Sequence, residues 1–178
     1  HLQSLELSKV SIDTVGKIPT MVEYFDWMLG NDICTNLEIK INNDSTKYQV
    51  QIANKMLSLL EKYPSLKDRV FISSFCNLVM KTLTKCELYK KAKLYESTNW
   101  DEDFAYVDGE LYEHFVENGY IAIVINAECL TQERVSYLKA KFSKVFVYSI
   151  KTDEQIIQTL GYGADAVFID KKEQSRLS

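Results

Sequence analysis

The chain has 178 residues, 46% apolar and 12% aromatic, with 25 acidic against 21 basic side chains and a net charge of −4. Those figures suit a single domain over residues 1–178 with a sizeable core, and they exclude a disordered chain. No Lys/Arg block marks a nucleic-acid partner, no apolar run reaches transmembrane length, and His1-Leu2-Gln3-Ser4 is no basic-then-apolar leader, so a cytoplasmic location is expected.

Helical and strand patterns take turns from residue 20. Thr20, Glu23 and the apolar Met21, Val22, Phe25, Met28 and Leu29 predict a short helix that stops at Gly30-Asn31-Asp32. Asn36-Leu37-Glu38-Ile39-Lys40-Ile41 then alternates as a strand does, with Leu37, Ile39 and Ile41 on one face and Asn36, Glu38 and Lys40 on the other. Tyr48 to Tyr63 repeats apolar residues at helical spacing and stops before Pro64. Arg69 to Ser73 predicts a strand and Cys76 to Leu83 its helix; Leu88 to Tyr95 predicts the next strand, although it is rich in lysine. Residues 96 to 108 show no clear period and are expected to form a loop or lid. Glu110 to Asn118 predicts a helix stopped by Gly119, and Tyr120 to Ile125 a nearly all-apolar strand. Thr131 to Phe142 (helix), Lys144 to Ile150 (strand), a helix from Thr152 to Gly161 or Gly163, and Ala166 to Asp170 (strand) complete the series, with a frayed tail beyond Lys171.

About six strand–helix alternations with short connections imply a parallel sheet, either doubly wound or rolled into a barrel. No Gly-x-Gly-x-x-Gly follows a strand and no P-loop is present, which argues against a dinucleotide or nucleotide crevice. A (β/α)8 barrel fits the pattern, but such barrels typically need roughly 250 residues, and this chain is short by about two units.

Few residues can carry chemistry. Cys34, Cys76, Cys86 and Cys129 fit neither a zinc knuckle nor a C-x-x-C pair, so buried thiols in a reducing compartment are expected. His1 is terminal, and His114 sits in a helical pattern where a structural role is the commoner one. Strands of such folds carry their sites at the carboxyl ends, which points to Glu38 and Lys40, Ser73-Ser74-Phe75, Asn126, Tyr148-Ser149 and Asp170. The ordinary explanation of this set is loop chemistry, with Ser74 capping a helix and Glu38–Lys40 forming a surface or structural ion pair. The sharper one is a pocket for a small phosphorylated ligand and a hard divalent cation.

The same residues resemble a known family. Asn36-Leu37-Glu38-Ile39-Lys40 is similar to the Asn-(Ile/Leu)-Glu-Ile-Lys strand of the glycerophosphodiester phosphodiesterase family, and Val70-Phe71-Ile72-Ser73-Ser74-Phe75 to its Ile-Ser-Ser-Phe strand. Leu130-Thr131, Val145 to Tyr148, Asp153, Leu160-Gly161, Gly163-Ala164-Asp165-Ala166 and Ile169-Asp170 resemble its ending; Leu5-Glu6-Leu7 and Ile18-Pro19-Thr20-Met21 resemble upstream segments. Tyr148 and Ser149 stand where the family usually has Trp and Thr. The resemblance implies a (β/α)8 TIM-barrel type, incomplete, with about six βα units and the first two strands missing. It implies hydrolysis of a glycerophosphodiester to glycerol 3-phosphate and an alcohol, within lipid and glycerol metabolism. A divalent cation (Mg or Ca) would be held at Glu38, with Lys40, Ser74, Phe75, Asn126 and Tyr148 binding substrate. The family's His-Arg-Gly, Glu-Asn-Thr and His-Asp motifs have no counterpart in these residues. The catalytic acid and base are therefore unassigned, the cation is weakly held, and this chain alone is expected to be inactive. The alternative is a degenerate, non-catalytic member that serves as a binding or structural module. Unpaired sheet edges would favour self-association.

Overall fold

Threonine hydroxyls start three of the helices where the chain leaves a loop or strand. Thr20 accepts the Glu23 N–H while the Glu23 carboxylate takes the Thr20 N–H (3.2 and 2.7 Å), so a capping box opens helix α1, Met21–Leu29. The computed structural model of the chain describes residues 19–96 and 99–169, apart from the Cys129 side chain. After α1 come strand β1 (Thr35–Glu38), α2 (Thr46–Leu60), β2 (Val70–Ser74), α3 (Asn77–Leu83) and β3 (Lys90–Tyr95). Then follow α4 (Trp100–Tyr106), α5 (Tyr112–Glu117), β4 (Ala122–Asn126), α6 (Gln132–Phe142), β5 (Val145–Ile150), α7 (Asp153–Gly161) and β6 (Ala166–Ile169). Thr131 caps α6 through the Arg134 N–H, and Thr152 with Gln155 forms a second capping box at α7.

The six strands among the described residues are all parallel and lie in chain order, β1-β2-β3-β4-β5-β6. The sheet curls. Phe71 of β2 meets Phe146 of β5 edge-on at 5.9 Å and Phe168 of β6 at 6.4 Å, contacts that a flat sheet with two to three intervening strands could not make. Of the two arrangements that the alternation left open this is the rolled one, a half-barrel, in line with the incomplete (β/α)8 type that the resemblance implied. The main core fills the space between the convex face and the helices, with Ile72, Val79, Met80, Leu83, Leu111, Ile123, Leu138, Phe142 and Val147 buried there. A smaller cluster of Ala92, Leu94, Ala122 and Val124 lines the concave face, with Phe71, Phe146, Phe168 and Tyr148 against it.

Two sequence expectations are corrected. Residues 100–108 are helical rather than a loop or lid: α4 runs through a π-helical turn at Val107–Leu111 into α5, the helix expected from Glu110. Trp100, Phe104, Val107, Leu111 and Phe115 recur at helical spacing, a signal hidden by Asp101-Glu102-Asp103 and Gly109. Cys34 is exposed and Cys76 only partly buried, whereas Cys86 is buried; all three are free. The lysines that weakened β3 face the helices: Lys91 and Lys93 alternate with the concave Ala92 and Leu94 and are buried. Expectations for His1, for Leu5 to Leu7, for Asp170 and for the tail lie outside the described residues. Among the described residues, no helix is long and apolar enough to cross a membrane.

Candidate functional site

Glu38 ends β1 beside Ser73 of β2, and alternation puts its side chain, with those of Asn36 and Ser73, on the concave face that holds Phe71. Asn36 and Ser73 are joined there by a 2.8 Å hydrogen bond from the Ser73 hydroxyl. Two residues on, Lys40 returns to pair with Glu38 at 3.8 Å. Among the described residues, nothing seals the pair in an interior. The Lys40 side chain is 82% exposed and that of Glu38 31%, so the ion pair itself adds little to stability.

Glu38, Lys40, Ser74 and Phe75 line one open groove of about 430 Å³, together with Asp44, Gln49 and Cys76. Ser74 lies in its wall and is already engaged. The hydroxyl donates to the Ile39 carbonyl at 2.7 Å and accepts the Cys76 N–H at 3.2 Å, which ties the ends of β1 and β2 together at the start of α3. Cys76 in turn donates its thiol to Gln49 at 3.4 Å. Asp44, Gln49 and Cys76 were missed as groove residues; their position just past the carboxyl ends of β1 and β2 was the available signal.

Phe75 is exposed and meets the Tyr148 ring edge-on at 5.9 Å, which links the groove to the other end of the sheet. Asn126 and Tyr148 are ladder partners on β4 and β5. The Asn126 side-chain oxygen accepts the Glu128 N–H at 2.9 Å and so caps the turn after β4. The Tyr148 hydroxyl is fully enclosed and closes no hydrogen bond, although the Asn126 side chain is near enough to favour its anion. Burial pushes its pKa up to about 12, and the carboxylates of Glu96, Glu38 and Glu128 push in the same direction. Glu96 and Glu128 had not been singled out; each follows a strand end, β3 and β4.

Alternation along β5 gives Tyr148 its aim, and a bulge follows it. Ser149 adopts φ 63°, and the β5–β6 register shifts between Val147 and Ile150. Phe146 and Tyr148 face the concave side by alternation with Val145 and Val147, and the bulge returns Ile150 to the outer core. His114 is remote from this chemistry by its bonding. Its ring nitrogens contact the Asn118 amide at 3.0 Å and the Tyr120 hydroxyl at 3.1 Å, and burial, then Lys93, lowers its pKa. Asp165, one of the recognised motif residues, is structural: it accepts the Val145 N–H at 2.8 Å and pairs with Lys139 at 2.7 Å. Among the described residues no group of three or more His, Cys, Asp or Glu side chains is placed to hold a metal ion.

Residues 1–174 match the model of the glycerophosphoryl diester phosphodiesterase family. An uncharacterized protein of Bacillus subtilis (strain 168), YqiK, is 24% identical over 159 residues, which is 89% of this chain and 61% of YqiK. A crystal structure of a glycerophosphodiester phosphodiesterase from Parabacteroides distasonis superposes with a TM-score of 0.72 at 16% identity, covering 93% of this chain and 65% of that one. A phosphodiesterase from Oleispira antarctica, solved with its product sn-glycerol-3-phosphate, gives a TM-score of 0.65 at 17% identity, covering 85% of this chain and 57% of that one. The chain thus spans less than two thirds of the length of each of these relatives.

Proposed function

The chain belongs to the glycerophosphoryl diester phosphodiesterase family, and on that premise we propose that its groove at the end of β1 engages the glycerophosphoryl part of a small phosphodiester. The observation that carries this reading is the placement of Glu38, Lys40 and Phe75 around one groove at the carboxyl ends of β1 and β2. The Lys40 ammonium reaches solvent on a flexible stem and supplies the positive charge that a phosphoryl oxygen seeks. The Phe75 and Tyr148 rings give the carbon backbone of glycerol an apolar wall.

The divalent cation, Mg or Ca, would take Glu38 as one oxygen ligand. Such ions want six or more oxygens, and the described residues offer no acidic cluster around Glu38, so they do not by themselves fit a cation site. No chemical step is assigned to one. Hydrolysis also needs a general acid and base, and His114 is committed to Asn118 and Tyr120. These two observations favour, as a second reading, a non-catalytic member that binds its ligand without turning it over.

Calorimetric titration with sn-glycerol 3-phosphate tests the proposal. Wild type binds, and Lys40→Met weakens binding about tenfold or more, the loss of one charge-assisted contact. Equal affinity in the two proteins overturns the assignment of Lys40. Glycerophosphocholine with magnesium or calcium separates the two readings: negligible turnover is expected of this chain alone, and robust turnover overturns that expectation.

A further inference from the structure

The third strand carries two ammonium groups where the fold has no evident use for them. Its sequence, Lys90-Lys91-Ala92-Lys93-Leu94-Tyr95, turns Lys91 and Lys93 toward the helices, and both are buried, at 7% and 2% exposure. A buried ammonium is costly unless its hydrogens are taken up, and a leucine or methionine would fill the same space without that cost. Both lysines donate to backbone carbonyls. Lys91 binds those of Cys86 (2.6 Å) and Tyr89 (2.8 Å) where the chain enters β3. Lys93 binds that of Leu94 on its own strand (2.6 Å) and that of Phe75 (2.8 Å).

The second of these contacts reaches the groove. The β2–β3 ladder ends at Ser74↔Lys93, so Phe75 is the first residue beyond it, at the turn where the chain swings into α3. Ser74 fastens that turn to β1 through the Ile39 carbonyl, and Lys93 fastens it to β3. The Phe75 ring, held between these two ties, is the wall that meets Tyr148.

We propose that Lys93 is a positioning residue: its buried side chain clamps the Phe75 carbonyl to β3 and so fixes where the Phe75–Tyr148 pair bounds the groove. Its bearing on ligand affinity rests on the phosphodiester reading above; its hold on Phe75 does not. Burial pulls the Lys93 pKa down to about 8, with the Cys76 thiol opposing. Charged or neutral, the amine keeps enough N–H groups for both carbonyls.

The test uses the full chain, with Lys93→Met and Lys93→Gln as variants. The readouts are the NOE between the Phe75 and Tyr148 rings and calorimetric affinity for sn-glycerol 3-phosphate. Lys93→Met is expected to lose the cross-ring NOE and to bind about tenfold more weakly, the scale of one lost charge-assisted bond. Lys93→Gln, which keeps a donor of shorter reach, recovers part of both. A folded Lys93→Met protein that keeps the NOE and wild-type affinity overturns the proposal. If wild type binds no sn-glycerol 3-phosphate, the phosphodiester reading falls and the NOE alone decides the clamp. If Lys93→Met does not fold, the wild-type protein decides. Slowly exchanging Lys93 ζ protons with NOEs to the Phe75 and Leu94 α protons support the clamp, and solvent-fast exchange without those NOEs overturns it.

Discussion

Tyr148→Phe should stabilise the protein. The substitution removes one oxygen atom that is enclosed and makes no hydrogen bond, and it leaves the ring in its edge-on contact with Phe75. A hydroxyl buried without a partner costs about 1–3 kcal/mol in proteins. The nearby Asn126 side chain returns part of that cost, so a net gain of about 1 kcal/mol is expected from deleting it. For a chain of this size the gain raises Tm by roughly 2–4 °C. Urea unfolding at pH 7 should show a higher midpoint with an unchanged slope, since no additional surface is exposed. A variant less stable than wild type by about 1 kcal/mol or more would show that the hydroxyl is bonded in the free protein, and the argument from its missing partner would fail.

Stability should also peak in mildly alkaline solution. Lys93 is held down to about 8 against an ordinary 10.5, so the unfolded chain binds the extra proton between those values and stability climbs across that window. Tyr89 and Tyr148 are held up to about 12 against 10 by burial, and Tyr120 is raised for the same reason, so the native state keeps extra protons and stability falls as pH rises from 10 toward 12. Urea midpoints across pH 7–12 should therefore pass through a maximum near pH 10, and Lys93→Met should flatten the ascending limb. Among the described residues β1 and β6 each have one strand neighbour, so sedimentation is expected to show concentration-dependent association; a clean monomer at high concentration would count against open edges as contact surfaces.

The alternation of strands and helices was legible because each unit writes its period plainly. Leu37, Ile39 and Ile41 mark one strand, and Thr131 and Thr152 mark two helix starts that their hydroxyls do cap. The helix across residues 100–108 was not legible, because its run of acids and the glycine that follows resemble a loop, and tertiary burial of Val107 overrides them. The β3 lysines obscured a strand for a related reason: an ammonium satisfied by carbonyls is a tertiary arrangement that no local pattern announces. At the candidate site, the facing of Glu38 and Lys40 followed from period-two alternation, but their exposure did not, since it depends on how far the sheet closes. The grip of Ser74 on Ile39 and the bulge at Ser149 that returns Ile150 to the outer core both arise between strands, beyond the reach of spacing along one.

Because the sheet runs in the order in which the chain is written, synthesis and assembly can march together. Each new strand emerging from the ribosome finds its one required neighbour already in place, and no earlier strand must wait for a later one to wedge beside it. Contacts close over one strand–helix–strand span at a time, which keeps the entropic toll of ring closure low at every step. A wall laid stave by stave in this way can be lengthened or shortened by whole units without re-threading those already standing.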